Sequence, residues 1–181
     1  MADPRLAPKP SSEWDDDTRA LIGSRSLNIF ATLAHHPKLM KRWMVFGNHV
    51  LAKSTLSARE RELLILRTGW NCRAPYEWGQ HVAIARSVGI TDEEVARCAA
   101  GPDAPGWDPF EAVLLRAADE LHNDQSLTDA TYAALGARYD EQHLLDLVFT
   151  VGQYHLVSMA LNSLRVQRDD GVTGVPMPER D

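Results

Sequence analysis

Cysteine is scarce in this 181-residue sequence, which contains only Cys72 and Cys98. Two cysteines cannot build the disulfide framework of a small secreted domain, and their spacing matches no CxxC or metal-binding motif. Residues 1–17 contain three prolines and an acidic run but no apolar stretch, so we expect no signal peptide. We therefore expect a cytoplasmic protein with reduced thiols.

A net positive charge, long basic clusters and long apolar runs are also lacking. The formal net charge is −6, and no basic cluster is longer than the pair Lys41-Arg42. Phosphate contacts require clustered lysine and arginine, so we expect no nucleic-acid partner. No run approaches the roughly 18 apolar residues of a membrane span, so we expect no membrane partner. Hydrophobic residues make up 44% of the chain, as is usual for one globular domain.

Local motifs for metals and cofactors are absent as well. The sequence has no HExxH motif, no Cys/His cluster, no glycine-rich phosphate loop and no G-x-S-x-G elbow. Glu62, Glu77, His81 and His155 could in principle converge on an ion, but no local spacing specifies them as ligands. We therefore predict no metal site and no cofactor.

Apolar residues recur at helical spacing, and strand-like alternation is absent. Ser57–Glu60 and Thr91–Glu94 have the pattern of capping boxes, and Pro37, Pro75 and Pro109 suit first helical turns. The predicted helices cover about residues 18–35, 37–50, 58–71, 75–88, 92–100, 109–121, 129–139 and 140–164. The sequence thus predicts an all-α protein, a bundle of about seven to eight helices.

We predict one domain over residues 1–181, with a turn-rich segment at 101–108 and a polar, flexible tail at 167–181. The last helix is apolar on nearly all sides. We therefore expect it to be buried in the core or in an interface.

Glu77 and His81 are the most informative titratable pair. They are four residues apart, so they share one face of a helix, and that face continues through the apolar Ile84 and Ala85. A carboxylate and an imidazole in a partly dry pocket can transfer protons near neutral pH. The alternative is an ordinary polar pair that stabilises the helix.

Glu62 lies on the preceding helix. It reaches the same pocket if the two helices form an antiparallel hairpin; otherwise it forms a surface ion pair with Arg59. His155 falls on an apolar stripe of the last helix, which is typical of a hydrogen-bonded core histidine. The role of His49 is left open. Tyr76, Trp70 and Trp78 are interpreted as core residues or pocket walls.

Three segments carry a family resemblance: Glu60 to Arg67 (ERELLILR), Tyr76 to Val82 (YEWGQHV) and Gly89 to Glu94 (GITDEE). They resemble the carboxymuconolactone decarboxylase-like superfamily, which includes alkylhydroperoxidase D. The resemblance covers a core at 37–121, which a helical extension at 128–165 follows. The stretches Val151–Leu156 and Asn162–Gly171 are similar to the C-terminal part of longer, decarboxylase-like members. The resemblance implies an alkylhydroperoxidase D-like fold and a homo-oligomer, a trimer or hexamer and possibly a dimer, with sites near subunit contacts.

The peroxidase branch of this superfamily implies the pattern Glu-x11-Cys-x2-Cys-x3-His. Its first and last positions fall on Glu62 and His81, but its two thiol positions fall on Ala74 and Glu77. Peroxide reduction by that route needs two thiols, so the sequence excludes the two-cysteine mechanism. A one-cysteine peroxidase using Cys72 remains an alternative.

The branch without these thiols fits better. The resemblance implies an acid–base enzyme acting on a small organic acid or lactone, by decarboxylation or a related lyase or isomerase step. We hypothesise that His81 is the general acid/base and that Glu77 or Glu62 orients it. The residues expected to bind substrate are Tyr76, Trp78, Gln80, Trp70, His49 and His155. A non-catalytic small-ligand-binding or assembly protein is the alternative from another class.

Few cations are available for a polyanionic lactone. Arg67 and Arg73 are the clear candidates in the motif region, and the sequence does not show whether either faces a pocket. The hypothesis therefore extends to less charged substrates.

Overall fold

The computed structural model describes residues 3–25, 27–171 and 177. The described residues form nine α-helices, one short 3₁₀ helix at Ser11–Glu13 and no strand. The α-helices are α1 (Asp16–Ile22), α2 (Asn28–Leu33), α3 (Pro37–Ala52), α4 (Ala58–Asn71), α5 (Pro75–Ser87), α6 (Asp92–Ala100), α7 (Pro109–Asn123), α8 (Asp129–Gly136) and α9 (Glu141–Leu164). The predicted all-α fold is confirmed.

Local chemistry sets most helix starts. The capping boxes that open α4 and α6 are both complete: the Ser57 and Thr91 hydroxyls accept from the backbone three residues later, and the glutamate there accepts from the cap. Pro37, Pro75 and Pro109 occupy first turns, where a missing N–H costs nothing. These starts lie where the sequence predicts them.

The predicted first helix is wrong in one respect, since two short helices replace it. α1 ends at Gly23, whose φ of +63° lies in the left-handed region that favours glycine. α2 begins again at Asn28, whose backbone N–H donates to the Asp169 carboxylate at 2.6 Å. A contact distant in sequence therefore fixes the second start.

α4 lies at the centre of the molecule and packs against α5, α6, α7 and α9. Four consecutive residues of α4, Leu63 to Leu66, are all buried, so the helix is covered around most of its circumference. One apolar cluster joins α4 to α5 and α6, and another joins it to α7, α8 and α9. Titratable groups on α4 are therefore held inside the core.

α9 has one buried side and one uncovered side. Leu147, Val151 and Leu161 are buried, whereas Phe149 and Met159 are 55% and 65% exposed. By length and composition, α9 is the described helix that could cross a membrane, contrary to the expectation that no such stretch exists. Core helices of soluble proteins reach the same length and apolarity, and 44% of the apolar window of α9 is buried.

Part of the predicted flexible tail contacts the bundle. Asn28 binds both the Asp169 carboxylate and the Gln167 carbonyl, and Met177 packs against the cluster of α4, α5 and α6. Residues 172–176 and 178–181 of that tail lie outside the described residues.

Candidate acid–base site

α4 and α5 form a tight helical hairpin, which brings Glu62 and His81 together. The connection turns at Arg73, whose φ is +52°, and the Ala74 N–H donates to the Gly69 carbonyl at 3.0 Å. Across the hairpin, His81 Nδ1 lies 2.7 Å from Glu62 Oε2. Both side chains are buried, and Glu62 is 0% exposed.

The alternative of a surface pair between Glu62 and Arg59 is wrong. Arg59 instead binds Glu94 and Glu111. Glu62 contacts Arg61, whose Nη2 lies 3.2 Å from Oε1. A cation on one oxygen and an imidazole on the other compensate for the burial of the carboxylate.

The Glu62 contact also assigns the imidazole nitrogens of His81. A carboxylate offers only acceptors, so Nδ1 carries the proton and donates to Glu62. Nε2 then presents its lone pair, and it has no hydrogen-bond partner among the described residues. An oriented imidazole with one free basic nitrogen is the arrangement of a general base.

Glu77 lies near this pair but has a separate hydrogen-bond partner. The Ser158 hydroxyl of α9 donates to Glu77 Oε2 at 2.5 Å, and Oε1 is buried without a partner among the described residues. Burial raises the pKa of Glu77 well above its ordinary value, although the Ser158 hydrogen bond acts in the opposite direction. Burial therefore favours the neutral, proton-donating form of Glu77.

A cavity of ≈ 160 Å³ opens beside Glu77 and His81, both of which line it. Glu62 is not part of the lining, so it supports His81 from the side away from the cavity. The remaining lining is mainly apolar and comes from α2, α3, α5 and α9: Leu27, Ile29, Phe30, Trp43, Met44, Gly47, Asn48, Leu51, Tyr76, Gln80, Ile84, Gln153, Tyr154, Val157 and Leu161. None of these described residues is a lysine or arginine.

Three residues of this lining have a buried polar atom with no partner among the described residues. They are Trp43 Nε1, Gln153 Oε1 and Glu77 Oε1, which include both donors and acceptors. Buried polar groups are nearly always paired, so three such atoms around one cavity indicate a place for a polar ligand.

Tyr154 forms one wall of the cavity against His81. The two rings meet edge to face, with centroids 4.8 Å apart. Burial, together with the negative charge of the nearby Glu62, raises the pKa of Tyr154 well above its ordinary value. Tyr154 therefore stays a neutral phenol beside the imidazole.

Asp169 holds two further cavity residues in place. Its Oδ2 accepts from the Tyr76 hydroxyl at 2.5 Å and from Gln80 Nε2 at 2.7 Å. Burial and the Asp169 charge raise the pKa of the Tyr76 phenol. The residues just after α9 thus fix the side chains of α5 at the cavity.

Five residues that the sequence predicts for the site lie at the cavity or next to it: Glu62, Glu77, His81, Tyr76 and Gln80. Four other residues of the site were not predicted from the sequence: Tyr154, Gln153, Ser158 and Asp169. The only sequence signal for the first three is their position on the apolar last helix, near His155. Asp169 carries no signal, because it lies in a segment with the composition of a tail.

Four residues predicted to bind substrate do not line the cavity. Trp78 and Trp70 pack in the cluster of α4, α5 and α6, with ring centroids 5.9 Å apart. His49 is half-exposed and pairs with Asp146 at 3.2 Å. His155 contacts His122 on another side of the bundle. Their apolar neighbours in sequence belong to the core, so helical spacing alone could not separate core from cavity.

The two arginines of the motif region also lie away from the lining. Arg67 binds the Asp119 carboxylate and the carbonyls of Cys98 and Ala99, so it ties α4 to α6 and α7. Arg73 is exposed in the hairpin connection. The cavity therefore lacks the cations that a polyanion requires, as far as the described residues show.

Neither cysteine contacts His81. Cys98 is fully buried, its Sγ lies 3.7 Å from the Leu63 carbonyl, and burial raises its pKa to about 12. Cys72 ends α4 and lies 3.9 Å from His122 Nδ1. The positions that carry thiols in the peroxidase pattern hold Ala74 and Glu77.

Comparison with known proteins agrees with this architecture. The model of the carboxymuconolactone decarboxylase family matches residues 37–120. No curated protein matches the sequence.

Solved structures match over most of the chain. An uncharacterized peroxidase-related protein with the alkylhydroperoxidase AhpD core, from Ralstonia eutropha, has a TM-score of 0.80 at 20% identity and covers 94% of this chain and 96% of its own. A protein of unknown function from Agrobacterium tumefaciens, a possible antioxidant defence protein, has a TM-score of 0.71 at 18% identity, covering 76% and 94%. A variant of the debrominase Bmp8 in complex with 2,3,4-tribromopyrrole has a TM-score of 0.73 at 12% identity, covering 92% of each chain.

These identities are low, so the solved structures establish the fold and not the activity. The match at 37–120 spans the α4–α5 hairpin that carries Glu62, Glu77 and His81. This part of the chain therefore matches the carboxymuconolactone decarboxylase family, and the chain has an alkylhydroperoxidase D-like fold, in a form without the paired thiols.

Proposed function

We propose that this protein is an acid–base enzyme that moves a proton on a small, weakly charged organic substrate such as a lactone or organic acid. The observation that carries the proposal is the buried contact of 2.7 Å between His81 Nδ1 and Glu62, beside a cavity that also receives the neutral Glu77. Two titratable groups with opposite proton roles at one cavity are the mark of acid–base catalysis.

In this proposal His81 Nε2 removes a proton from carbon, while Glu62 stabilises the imidazolium that forms. The Glu77 carboxyl donates a hydrogen bond to the oxygen on which the enolate charge develops. The imidazolium then returns its proton to a carbon of the substrate. In a decarboxylation, His81 first takes a proton from solvent at Nε2; carbon dioxide then leaves, and the imidazolium protonates the resulting carbanion.

The cavity limits the substrate in size and charge. A cavity of about 150 Å³ is enough for benzene, so ≈ 160 Å³ suits a single small ring. The described lining contains no lysine or arginine, which disfavours a polyanionic lactone. The tribromopyrrole bound by the debrominase of similar fold is also a small ring, which supports this size class.

Two other functions are less well supported. A peroxidase of the paired-thiol type has no thiol at Ala74 or Glu77. A one-cysteine peroxidase using Cys72 lacks contact between that thiol and the Glu62–His81 pair. A non-catalytic binder would explain the cavity, but it would not require a neutral carboxylic acid beside an oriented imidazole.

The test compares two lactones by ultraviolet absorbance. One is 4-carboxymuconolactone, and the other is α-angelica lactone, a neutral lactone whose isomerisation produces a conjugated product. We expect faster turnover of the neutral lactone, and a loss of about 10²–10⁴-fold in kcat/KM in His81→Ala, because general acid–base groups contribute this much.

His143→Ala is the matched control. His143 is partly exposed and pairs with Asp140 on the same helix, so this variant should keep full activity. Unchanged turnover in His81→Ala would refute the assignment of His81. Absence of turnover with both lactones in the unmodified protein would favour the non-catalytic binder.

The uncovered side of α9 supports a further proposal, that the chain forms a homo-oligomer. Leu145, Phe149 and Met159 are more than half exposed there, and large apolar groups in a row favour association. Phe149→Lys should lower the mass measured by light scattering, whereas Glu141→Lys on the same helix should not. An unmodified protein of monomer mass would contradict the proposal.

A further inference from the structure

A second cluster of titratable side chains lies outside the acid–base cavity. It consists of Cys72 at the end of α4, His122 in the last turn of α7 and His155 in the middle of α9. One ligand atom from each lies within 4.8 Å of the others, and all three residues are partly exposed. The acid–base proposal uses none of them.

The distances are close to those of a metal site. His122 Nδ1 lies 2.8 Å from His155 Nε2 and 3.9 Å from Cys72 Sγ. Bond lengths of about 2.3 Å to sulfur and about 2.05 Å to nitrogen in a tetrahedral site imply separations of about 3.4 Å between nitrogens and about 3.6 Å between nitrogen and sulfur. Side-chain rotations that move the ligand atoms by about 0.5–1 Å would bring all three separations, including that of Cys72 and His155 within 4.8 Å, to these values.

Neighbouring backbone groups already orient two of the three ligands. His155 Nδ1 donates to the Val151 carbonyl at 2.9 Å, so Nε2 presents its lone pair to the cluster. The Cys72 carbonyl accepts from Asn162 Nδ2 at 3.0 Å, and the Cys72 N–H donates to the Thr68 carbonyl at 2.9 Å. Outer hydrogen bonds of this kind fix the tautomer and orientation of metal ligands.

We propose that Cys72, His122 and His155 bind a zinc ion, with the fourth coordination position open to solvent. One thiolate and two neutral imidazoles suit a borderline-soft divalent ion, whereas magnesium and calcium prefer oxygen ligands. On binding, the Cys72 thiol releases its proton to solvent. The His122 ring donates from Nδ1 to His155 Nε2 in the structure, so it exchanges protons with solvent until Nε2 carries the proton and Nδ1 can bind the ion. Each ligand atom donates one lone pair to the ion.

The ion would join three helices of the core. His155, Ser158 and Asn162 lie at i, i+3 and i+7 on α9, so they share one face. On that face His155 would bind zinc, Ser158 donates to Glu77, and Asn162 donates to the carbonyl at the end of α4. The zinc site would hold α9 in position, and it does not depend on the proposed acid–base function.

The experiment is a cobalt titration of the full-length protein after treatment with a chelator, under reducing and anaerobic conditions. Cobalt bound to a thiolate shows a charge-transfer band in the near ultraviolet, and tetrahedral coordination gives intense visible bands. We expect both to saturate at about one equivalent, as for a single site, and zinc to displace cobalt and abolish the spectrum.

Variants assign the ligands. Cys72→Ser should lose the charge-transfer band. His122→Gln and His155→Gln should each weaken cobalt binding by more than the roughly 10–100-fold that loss of a supporting group costs. Far-ultraviolet circular dichroism establishes that each variant is folded, and the two histidine variants decide the question if Cys72→Ser does not fold.

Cys98→Ala and His143→Gln are the matched controls. Cys98 is the other cysteine, buried away from the cluster, and His143 is a partly exposed histidine of the same helix as His155. Both should keep the cobalt spectrum. The proposal is overturned by an unmodified protein without the charge-transfer band at saturating cobalt, or by a band that survives Cys72→Ser.

Discussion

The acid–base site and the Cys72–His122–His155 cluster each join histidine to an ionisable partner between packed helices, yet their surroundings differ. Glu62, Glu77 and His81 are nearly inaccessible to solvent, whereas the three residues of the other cluster are all partly exposed. Burial makes a charged carboxyl unfavourable and favours a proton on Glu77. Exposure allows an ion to enter and a thiol proton to leave.

The partners differ as well. His81 faces carboxylates and a phenol, which exchange or stabilise protons, and it has Arg61 behind it. His155 faces a second imidazole and a thiol, which are good ligands for a soft ion but poor proton relays. The same residue type therefore serves two kinds of chemistry, and the difference comes from its neighbours.

The largest expected effect is on the tautomer of His81. Glu62→Gln replaces a pure acceptor by an amide that can also donate, so Nδ1 is no longer held as a donor. We expect kcat to fall by about 10²–10⁴-fold, as when the orienting carboxylate of a catalytic histidine is lost. The measurement is turnover of the lactone that the unmodified protein converts best.

Asp146→Asn is the control for this variant, because Asp146 lies 3.2 Å from His49 Nε2 in a half-exposed carboxylate–imidazole pair. It should leave kcat unchanged. Equal losses in both variants would mean that removal of a helix contact, and not the tautomer, causes the effect.

Most of the fold and half of the acid–base site could be predicted from the sequence. Helix starts depend on neighbouring residues, as at Ser57 and Pro75, and the i,i+4 spacing of Glu77 and His81 is visible in any helical segment. The hairpin that joins Glu62 to His81 follows from a short connection. These features are local, so sequence reasoning finds them.

The remaining features depend on contacts between distant segments. Asp169 reaches Tyr76 and Gln80 from beyond the last helix. Cys72, His122 and His155 come from three separate helices, so no local spacing predicts the metal cluster, and the sequence argument expected none. The break between α1 and α2 likewise depends on a contact of Asn28 with Asp169.

A smaller effect concerns stability as a function of pH. The pKa of Glu77 is raised in the folded state, so the folded protein binds this proton more tightly than the unfolded chain does. This stabilisation is complete below the ordinary glutamate pKa of 4.5 and is lost as the pH rises through the folded pKa. Over that range, stability should fall by up to about 1.4 kcal/mol per pH unit.

Glu77→Gln removes this titration and keeps the shape of a neutral carboxyl. Its free energy of unfolding, measured with urea from pH 5 to pH 8, should lack the slope and should exceed that of the unmodified protein increasingly as the pH rises. Parallel pH profiles for the two proteins would show that Glu77 is not held neutral. His155→Gln is the comparison variant, because it changes the partly exposed cluster and leaves the buried Glu77 carboxyl in place.

The smallest expected effect concerns the carboxylate of Asp169, which is neither fully buried nor fully exposed. Asp169 is half-buried and accepts from the Asn28 N–H, the Tyr76 hydroxyl and Gln80. Asp169→Ala leaves these donors to water, so the free energy of unfolding should fall by about 1–2 kcal/mol. Asp170→Ala, an exposed neighbour, should stay within about 0.5 kcal/mol of the unmodified protein.

Since Asp169 orients two cavity residues without touching the Glu62–His81 pair, its loss should raise KM for the converted lactone more than it lowers kcat. A fall in kcat alone would instead place Asp169 within the proton-transfer machinery and would extend the buried site to the segment after α9.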